Sequence, residues 1–468
     1  MSVALVVGFM TLLDVSIVNT ALPSIRADLD LSPGELQWVL AGYALTFGLL
    51  LVPAGRFGDA RGRRNVFIAG LTVFTLASAA AGLATGAFWL IAARLVQGAA
   101  AGVVNPQVSG LIQQLFEPRE RGRPFGLLGA TIGISTAVGP LLGGLLIQIF
   151  GAEQGWRWIF YINVPIGAAA IVLGRRWIPA RPAGQRRRES LDPVGVLILG
   201  AAVFLLLLPL VQEREWHGRA KWLLLVAALV LGAVFARWER HYARSGTPVI
   251  DLGLFRVRSY ALGALIGMLY FAGFTTIFFI YTLFLQNGLR YSALMAGLAV
   301  TPFALGSAIA SAVGGRIVDR YGRPLVAAGL ALVAAGLGLA LLALHFVPGE
   351  GAGWAAALPL LIGGIGSGLV ISPNQTLTLA EVPVARAGSA GAVLQTGQRI
   401  GTAVGIAVVG AVFFARLEAH RGSWGPAFRT ALLVTIGFVL IALVAAVCDV
   451  LAARRERRAD TANAGAAR

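Results

Sequence analysis

The chain has 468 residues, 57% hydrophobic and only 13% charged, with a mean hydropathy of +0.79. A soluble domain carries about 25% charged residues, so the composition argues against a water-soluble enzyme and for a bundle of membrane-spanning helices. A formal net charge of +17 would suit a nucleic-acid binder, but cytoplasmic loops of membrane proteins also collect Lys and Arg; no nucleic acid is expected as a partner.

Residues 2–22 are long and apolar enough to span, lack a basic leading region and carry Asp14 at their centre, so they read as a retained first helix rather than a cleaved leader. Further spans of about 20 apolar residues are predicted over 36–55, 66–86, 88–115, 124–150 and 158–176. A pair at 193–211 and 222–238 follows an Arg-rich linker over 175–188. The remaining spans are 259–285, 295–315, 325–346, 354–380, 389–415 and 427–451, for a total of fourteen. An even number places both termini on one side. If the 56–64 loop is cytoplasmic, that side carries 27 of the 38 Lys and Arg and the other side 8, with Arg94, Arg399 and Arg429 in or at the ends of helices. The bias predicts a multi-pass protein of the cell membrane with both termini in the cytoplasm.

Two echoes reveal a repeat. Gly55-Arg-Phe-Gly-Asp59-Ala-Arg-Gly62-Arg63 returns as Gly315-Arg-Ile-Val-Asp319-Arg-Tyr-Gly322-Arg323, and Ile134-Ser-Thr-Ala-Val-Gly139 as Ile400-Gly-Thr-Ala-Val-Gly405. The predicted organisation is therefore an N-terminal six-helix bundle (1–176), a linker with an inserted transmembrane hairpin (177–258), a C-terminal six-helix bundle (259–451) and a tail (452–468). Paired halves with a site between them are a recurrent transporter plan.

Asp14 is the one acidic residue deep within the spans of the first half. A charge there costs about 2.5–3.5 kcal/mol on insertion scales, which marks it for function. Arg94, in the middle of span 4, is its expected partner. By the repeat, Arg94 corresponds to Leu360, and 259–285 has no acidic residue; the fold does not require these charges. Either a proton carrier or a static ion pair fits the position. The second half has its own polar group: Gln395, Gln398 and Arg399, with Asn374 and Gln375 on the preceding span. Gln97, Asn105 and Gln107 lie on span 4. Each amide suits either a substrate contact or an inter-helix hydrogen bond. Pro140 corresponds to Ile406, so the proline adds a bend to the packing that Gly139 shares with Gly405. Gly55 to Arg64 reads as a tight turn needing glycine, with Asp59 able to pair with Arg63, Arg119 or Arg121. The four histidines and the single Cys448 show no metal-ligand spacing or disulfide option, so no metal site is expected.

Several motifs taken in order resemble the major facilitator superfamily, and within it the fourteen-helix drug/proton antiporters. Gly55 to Arg64 resembles the signature between helices 2 and 3. Leu13-Asp14-Val-Ser-Ile-Val-Asn19-Thr-Ala-Leu-Pro23 is similar to the family's helix 1 motif, and Arg94-Leu-Val-Gln97-Gly98 to its helix 4 motif. Gly139-Pro140-Leu-Leu-Gly143-Gly144 resembles the end of the helix 5 antiporter motif, and Trp156 to Gly167 the entry to helix 6. The resemblance implies an all-α major facilitator fold and proton-coupled efflux of small amphiphilic molecules by alternating access. Asp14 and Arg94 would handle the proton, and Gln97, Asn105, Gln107, Asn374, Gln395, Gln398 and Arg399 would meet substrate. Gly55, Asp59, Gly62, Arg63 and Arg121 would form a cytoplasmic latch, Asp319 and Arg323 its second copy, and Gly139 with Pro140 a shaped helix contact. The proton gradient would supply the energy with no cofactor, and the working unit would be a monomer in the lipid bilayer. The charge inventory disfavours doubly positive cargo. Export of one endogenous metabolite and proton-coupled uptake are the alternatives.

Overall fold

The computed structural model describes the chain except for residues 152, 180–191, 212–215, 217, 245, 348, 421–422 and 467–468. Among the described residues there is no β-strand, and fourteen helical segments are long and apolar enough to cross a membrane. We number them α1 (Ser2–Leu29), α2 (Pro33–Arg61), α3 (Arg63–Gly82), α4 (Ala87–Leu115), α5 (Gly122–Phe150) and α6 (Gly155–Trp177). The hairpin is α7 (Pro193–Val211) and α8 (Leu223–Tyr242). The second half is α9 (Arg258–Leu283), α10 (Ala293–Tyr321), α11 (Arg323–Phe346), α12 (Ala357–Thr378), α13 (Ala387–Ala419) and α14 (Trp424–Ala453). All fourteen predicted spans are present. Most of the predicted 175–188 linker lies outside the described residues.

Local chemistry explains the element ends. Ser32 and Glu35 form a reciprocal capping box at the start of α2, with Pro33 in the first turn. Ser292 caps α10 by accepting from Met295 N. Pro23 lies inside α1, which continues to Leu29, so the first span is longer than predicted.

The sequence reading of Gly55–Arg64 as one tight turn needs correction. α2 runs through Gly55 and Gly58 to Arg61, and the reversal is made by Gly62 alone, at φ 102°. Gly55 and Gly58 serve packing instead. A Cβ on Gly58 would lie 1.9 Å from Gln107 Oε1, and one on Gly55 would lie 2.6 Å from the Gly388 carbonyl of the other half. Gly322 makes the equivalent reversal between α10 and α11, at φ 58°.

The halves are built alike. α5 packs on α1, where Cβ atoms on Gly139 and Gly143 would strike Ser16 and Ile17. Likewise α13 packs on α9, where Gly401 and Gly405 abut the carbonyls of Met268 and Ala272. The seam between halves is made by α5 against α10 and by α2 and α4 against α13. The hairpin lies across this seam. Leu207 reaches Gly48 and Leu45 of α2, and its apolar cluster includes Ile400 and Ala403 of α13. Its outer face is apolar and exposed, with Leu197 72% and Leu229 71% accessible, as lipid contact requires. The end of the bundle that carries Gly62, Gly322 and Met1 is called the basic end below.

Candidate functional site: a buried ion pair and an inter-half latch

Helices α1, α2, α3, α4 and α6 converge on Asp14. Arg94 and Gln97, three residues apart on α4, project from one face. Arg94 Nη1 donates to Asp14 Oδ2 at 2.6 Å, and Gln97 Nε2 donates to Oδ1 at 2.8 Å. Asn163 stands just after Ile162, where α6 divides into Gly155–Tyr161 and Asn163–Trp177. Its Nδ2 donates to Asp14 Oδ1 and to Ser78 Oγ, both at 3.0 Å. Ser78 Oγ in turn donates to the Phe160 carbonyl at 2.9 Å. Arg94 Nε reaches the Val39 carbonyl, and its guanidinium lies 4.2 Å from the Tyr43 ring centroid. Asp14, Gln97 and Ser78 are 0% exposed; Arg94 and Asn163 are 1% exposed.

Three donors surround an acceptor-only carboxylate. A proton on Asp14 would set a donor against donors, so one neighbour must turn to offer an acceptor. Asn163 can do so: its Oδ1 is buried and has no hydrogen-bond partner. Exchanging its amide nitrogen and oxygen by rotation would present that oxygen to Asp14. Asn163→Leu should destabilise the protein by about 1–3 kcal/mol, because Asp14 and Ser78 each lose a buried donor. A lowered melting temperature of the purified protein checks this.

The second cluster lies at the basic end and joins the halves. Asp59, on the last turn of α2, accepts from Gly388 N (3.0 Å), Ser389 N (2.8 Å) and Ser389 Oγ (2.8 Å). These are first-turn N–H groups of α13, which lack partners within their own helix and favour an anion. Arg63 holds the carboxylate at 2.7 Å and reaches back to the carbonyls of Gly110 (2.9 Å) and Val384 (2.5 Å). Nearby, Gln375 Nε2 and Gln395 Nε2 both donate to Ser109 Oγ of α4, at 3.3 and 3.2 Å. A Cβ on Gly122 of α5 would lie 2.3 Å from the Gly315 carbonyl of α10. The halves are therefore in close contact at the basic end.

The other predicted residues distribute as follows. Gln97 belongs to the sealed Asp14 cluster, not to the seam. Gln107 is 0% exposed and donates to the Ala54 carbonyl, making it a helix-packing residue of α2 and α4. Arg121 hydrogen-bonds the carbonyls of Phe116 and Gln113 instead of pairing with Asp59. In the second copy of the turn, Asp319 is exposed and feels the charge of Arg119 from the first half, and Arg323 pairs with Asp449 of α14; among the described residues the helix-start contact made by Asp59 is not repeated there. Asn374 donates to the Gly263 carbonyl within its own half. Asn105 is half-buried and donates to the Ala101 carbonyl. Gln398 and Arg399 are half-buried, with the Arg399 guanidinium 4.4 Å from the Phe47 ring centroid across the seam. Sequence reasoning missed Ser78, Asn163, Ser109 and Ser389 as site residues. Asn163 carried a usable signal, as an amide within a quoted motif inside a span.

Two repeated six-helix halves, with a buried ion pair and a polar contact between the halves, define a membrane transporter of the paired-bundle type. Comparison with known proteins gives the family. The profile of the Major Facilitator Superfamily matches residues 4–406. The chain is 36% identical to the probable actinorhodin transporter of Streptomyces coelicolor over 411 residues, covering 87% of this chain and 71% of that protein. It is also 36% identical to the multidrug resistance protein Stp of Mycobacterium tuberculosis over 419 residues, covering 88% of this chain and 75% of Stp. The fold superposes on the crystal structure of the human organic anion transporter MFSD10 with a TM-score of 0.67 at 14% identity, covering 95% of this chain and 98% of that one. The chain belongs to the Major Facilitator Superfamily and is a multi-pass membrane transporter rather than an enzyme.

Proposed function

We propose that this transporter exports small amphiphilic organic molecules across the plasma membrane in exchange for protons, with its basic end and both termini in the cytoplasm. The observation that carries the reading is Asp14, a carboxylate sealed among donors and paired to Arg94 inside one half. Intramembrane ionisable groups of this kind mark proton relays. Loading a proton removes the reason for the Arg94 contact and forces Asn163 or Gln97 to reorient, which changes the packing of α1, α4 and α6. That rearrangement would bias the balance between the two access states, while the Asp59 latch holds the cytoplasmic side shut in one of them. The gradient is the energy source, no cofactor is invoked, and one chain supplies both halves, so a monomer suffices.

Substrate would occupy the seam near Asn105, Gln398 and Arg399. Asp14 is enclosed and neutralised, so the charge offered to cargo there is the positive Arg399. Neutral or anionic amphiphiles are therefore preferred and bis-quaternary cations disfavoured. The similarity to a probable actinorhodin transporter and a multidrug resistance protein supports export of organic molecules.

The test uses purified protein in proteoliposomes with a pH gradient imposed across the membrane. A neutral or anionic amphiphilic dye should move uphill against proton flow, a protonophore should abolish the movement, and a bis-quaternary dye should not move. Dye flux that ignores the pH gradient would refute proton exchange, and co-directional flux would indicate a symporter.

A further inference from the structure

The inserted hairpin carries a pair of buried carboxylates that the transport cycle above does not use. Asp192 lies just ahead of α7 and Glu239 in the last turn of α8, and each is 1% exposed. Asp192 Oδ1 accepts from Gly195 N at 3.0 Å, and Trp238 Nε1 donates to Oδ2 at 2.9 Å. Glu239 Oε1 accepts from Val249 N at 3.2 Å and the Ile250 N–H also acts on the carboxylate, while Oε2 is buried without a partner of full hydrogen-bond geometry. The two groups crowd one point: a Cβ on Gly195 would lie 2.3 Å from Asp192 Oδ2 and 3.1 Å from Glu239 Oε1. Only glycine leaves room for both.

The charge count is unbalanced. From α2, Arg56, 4% exposed, acts on Glu239, as does Asp192. Among the described residues, two carboxylates and one guanidinium sum to one negative charge at these buried positions. An uncompensated buried charge costs several kcal/mol, and adjacent buried carboxylates resist ionising together. A single proton removes both penalties and gives the unpartnered Glu239 carboxyl oxygen a means of being satisfied. Among the described residues, the other charged groups nearby are the Arg386–Asp251 ion pair and, beyond Ser389, the Asp59–Arg63 pair. A shallow cleft lined by Arg56, Val249, Ile250, Asp251, Arg386 and Ser389 adjoins the site at Arg56 and Val249.

We propose that Asp192 and Glu239 hold one proton between them, forming a second protonatable site that fastens the foot of the inserted hairpin to α2 beside the latch. The proton is shared by the two crowded carboxyl groups and exchanges with bulk water. Ser389, which closes the latch on Asp59, also lines that cleft. Latch opening therefore remodels the surroundings of Arg56. The site is independent of Asp14 and stands whether or not Asp14 drives transport.

The test is infrared spectroscopy of the purified full-length protein in lipid nanodiscs near neutral pH. The carboxylic-acid C=O stretch, identified by its shift on exchange into D2O, is expected in the wild type and in Asp14→Asn. It is expected to be lost in Glu239→Gln, where the amide replaces the protonated acid. Asp192→Asn is the second arm. Glu239 is then left as the lone carboxylate beside Arg56 and ionises, so the band should vanish there too. Absence of the band from the wild type, or its persistence at full intensity in both variants, would overturn the proposal. Should Glu239→Gln not fold, Asp192→Asn alone decides by the same band.

Discussion

Replacing Asp14 with Asn is expected to abolish uphill transport driven by a pH gradient. The asparagine amide must turn its nitrogen toward either Arg94 or the paired amides of Gln97 and Asn163, all of which donate. Breaking a buried pair by removing one partner also costs about 3–5 kcal/mol, so lost activity in the single variant could reflect lost stability. The double variant Asp14→Leu/Arg94→Leu separates the two. Replacing both charges with apolar groups of similar volume is often neutral for stability, so it should melt closer to the wild type than either single variant. If the pair is a structural ion pair alone, the double variant transports normally. If Asp14 carries the proton, it remains uncoupled while folded. Gradient-driven flux at the wild-type rate in the folded double variant would remove Asp14 from the mechanism.

Asp59→Asn is expected to release the basic-end contact between halves. The wild-type carboxylate accepts two backbone N–H groups and one hydroxyl of α13, together with the Arg63 guanidinium. Hydrogen bonds to charged groups are worth about 1.5–3 kcal/mol each. They act as a unit, so the losses do not add. The loss of even one such bond shifts a two-state balance about tenfold or more. The asparagine nitrogen would also face donors from α13 or from Arg63. Spin labels introduced by Arg61→Cys and Glu381→Cys, both exposed positions at the basic end, report the separation of the halves. The variant should populate a longer distance than the wild type. An unchanged distance distribution would mean that the glycine contacts Gly55–Gly388 and Gly122–Gly315 hold the closed state without Asp59. The corresponding substitution Asp319→Asn should have a smaller effect, because that carboxylate is exposed, its interaction with Arg119 is screened by solvent, and its repeat partner Arg323 pairs with Asp449.

These two expectations draw on different levels of information. Asp14 and Arg94 could be matched in advance because a charge in an apolar span is costly wherever it lies, and few partners were available. Asp59 could be placed in a latch from its motif, but its partner could not be chosen. The reading considered Arg63, Arg119 and Arg121; the structure adds the first turn of α13, about 330 residues away in sequence. Backbone N–H groups at a helix start carry no side-chain signature, so the signal was absent from the local pattern. The amides were ambiguous for a related reason. Gln97, Gln107, Asn374 and Gln395 suited either a substrate contact or an inter-helix bond, and in this structure each makes a helix-to-helix bond; an amide in a span has the same sequence appearance in either role.

By itself, the sequence determined the number and order of the spans, the asymmetric distribution of basic residues, the internal repeat and the existence of one intramembrane ion pair. Each follows from a local rule: segment hydropathy, loop charge, self-similarity, or the cost of a buried charge. The tertiary structure alone decided that Asp14 is sealed inside the first half with Ser78 and Asn163, that Asp59 rather than Asp319 seats on a helix start of the other half, and that the hairpin crosses the seam with Asp192 and Glu239 beside Arg56. These features depend on which helix faces which. In a bundle whose helices are apolar on nearly every side, the facing is set by close glycine contacts and by polar partners drawn from distant segments, and neither leaves a periodic trace along the chain.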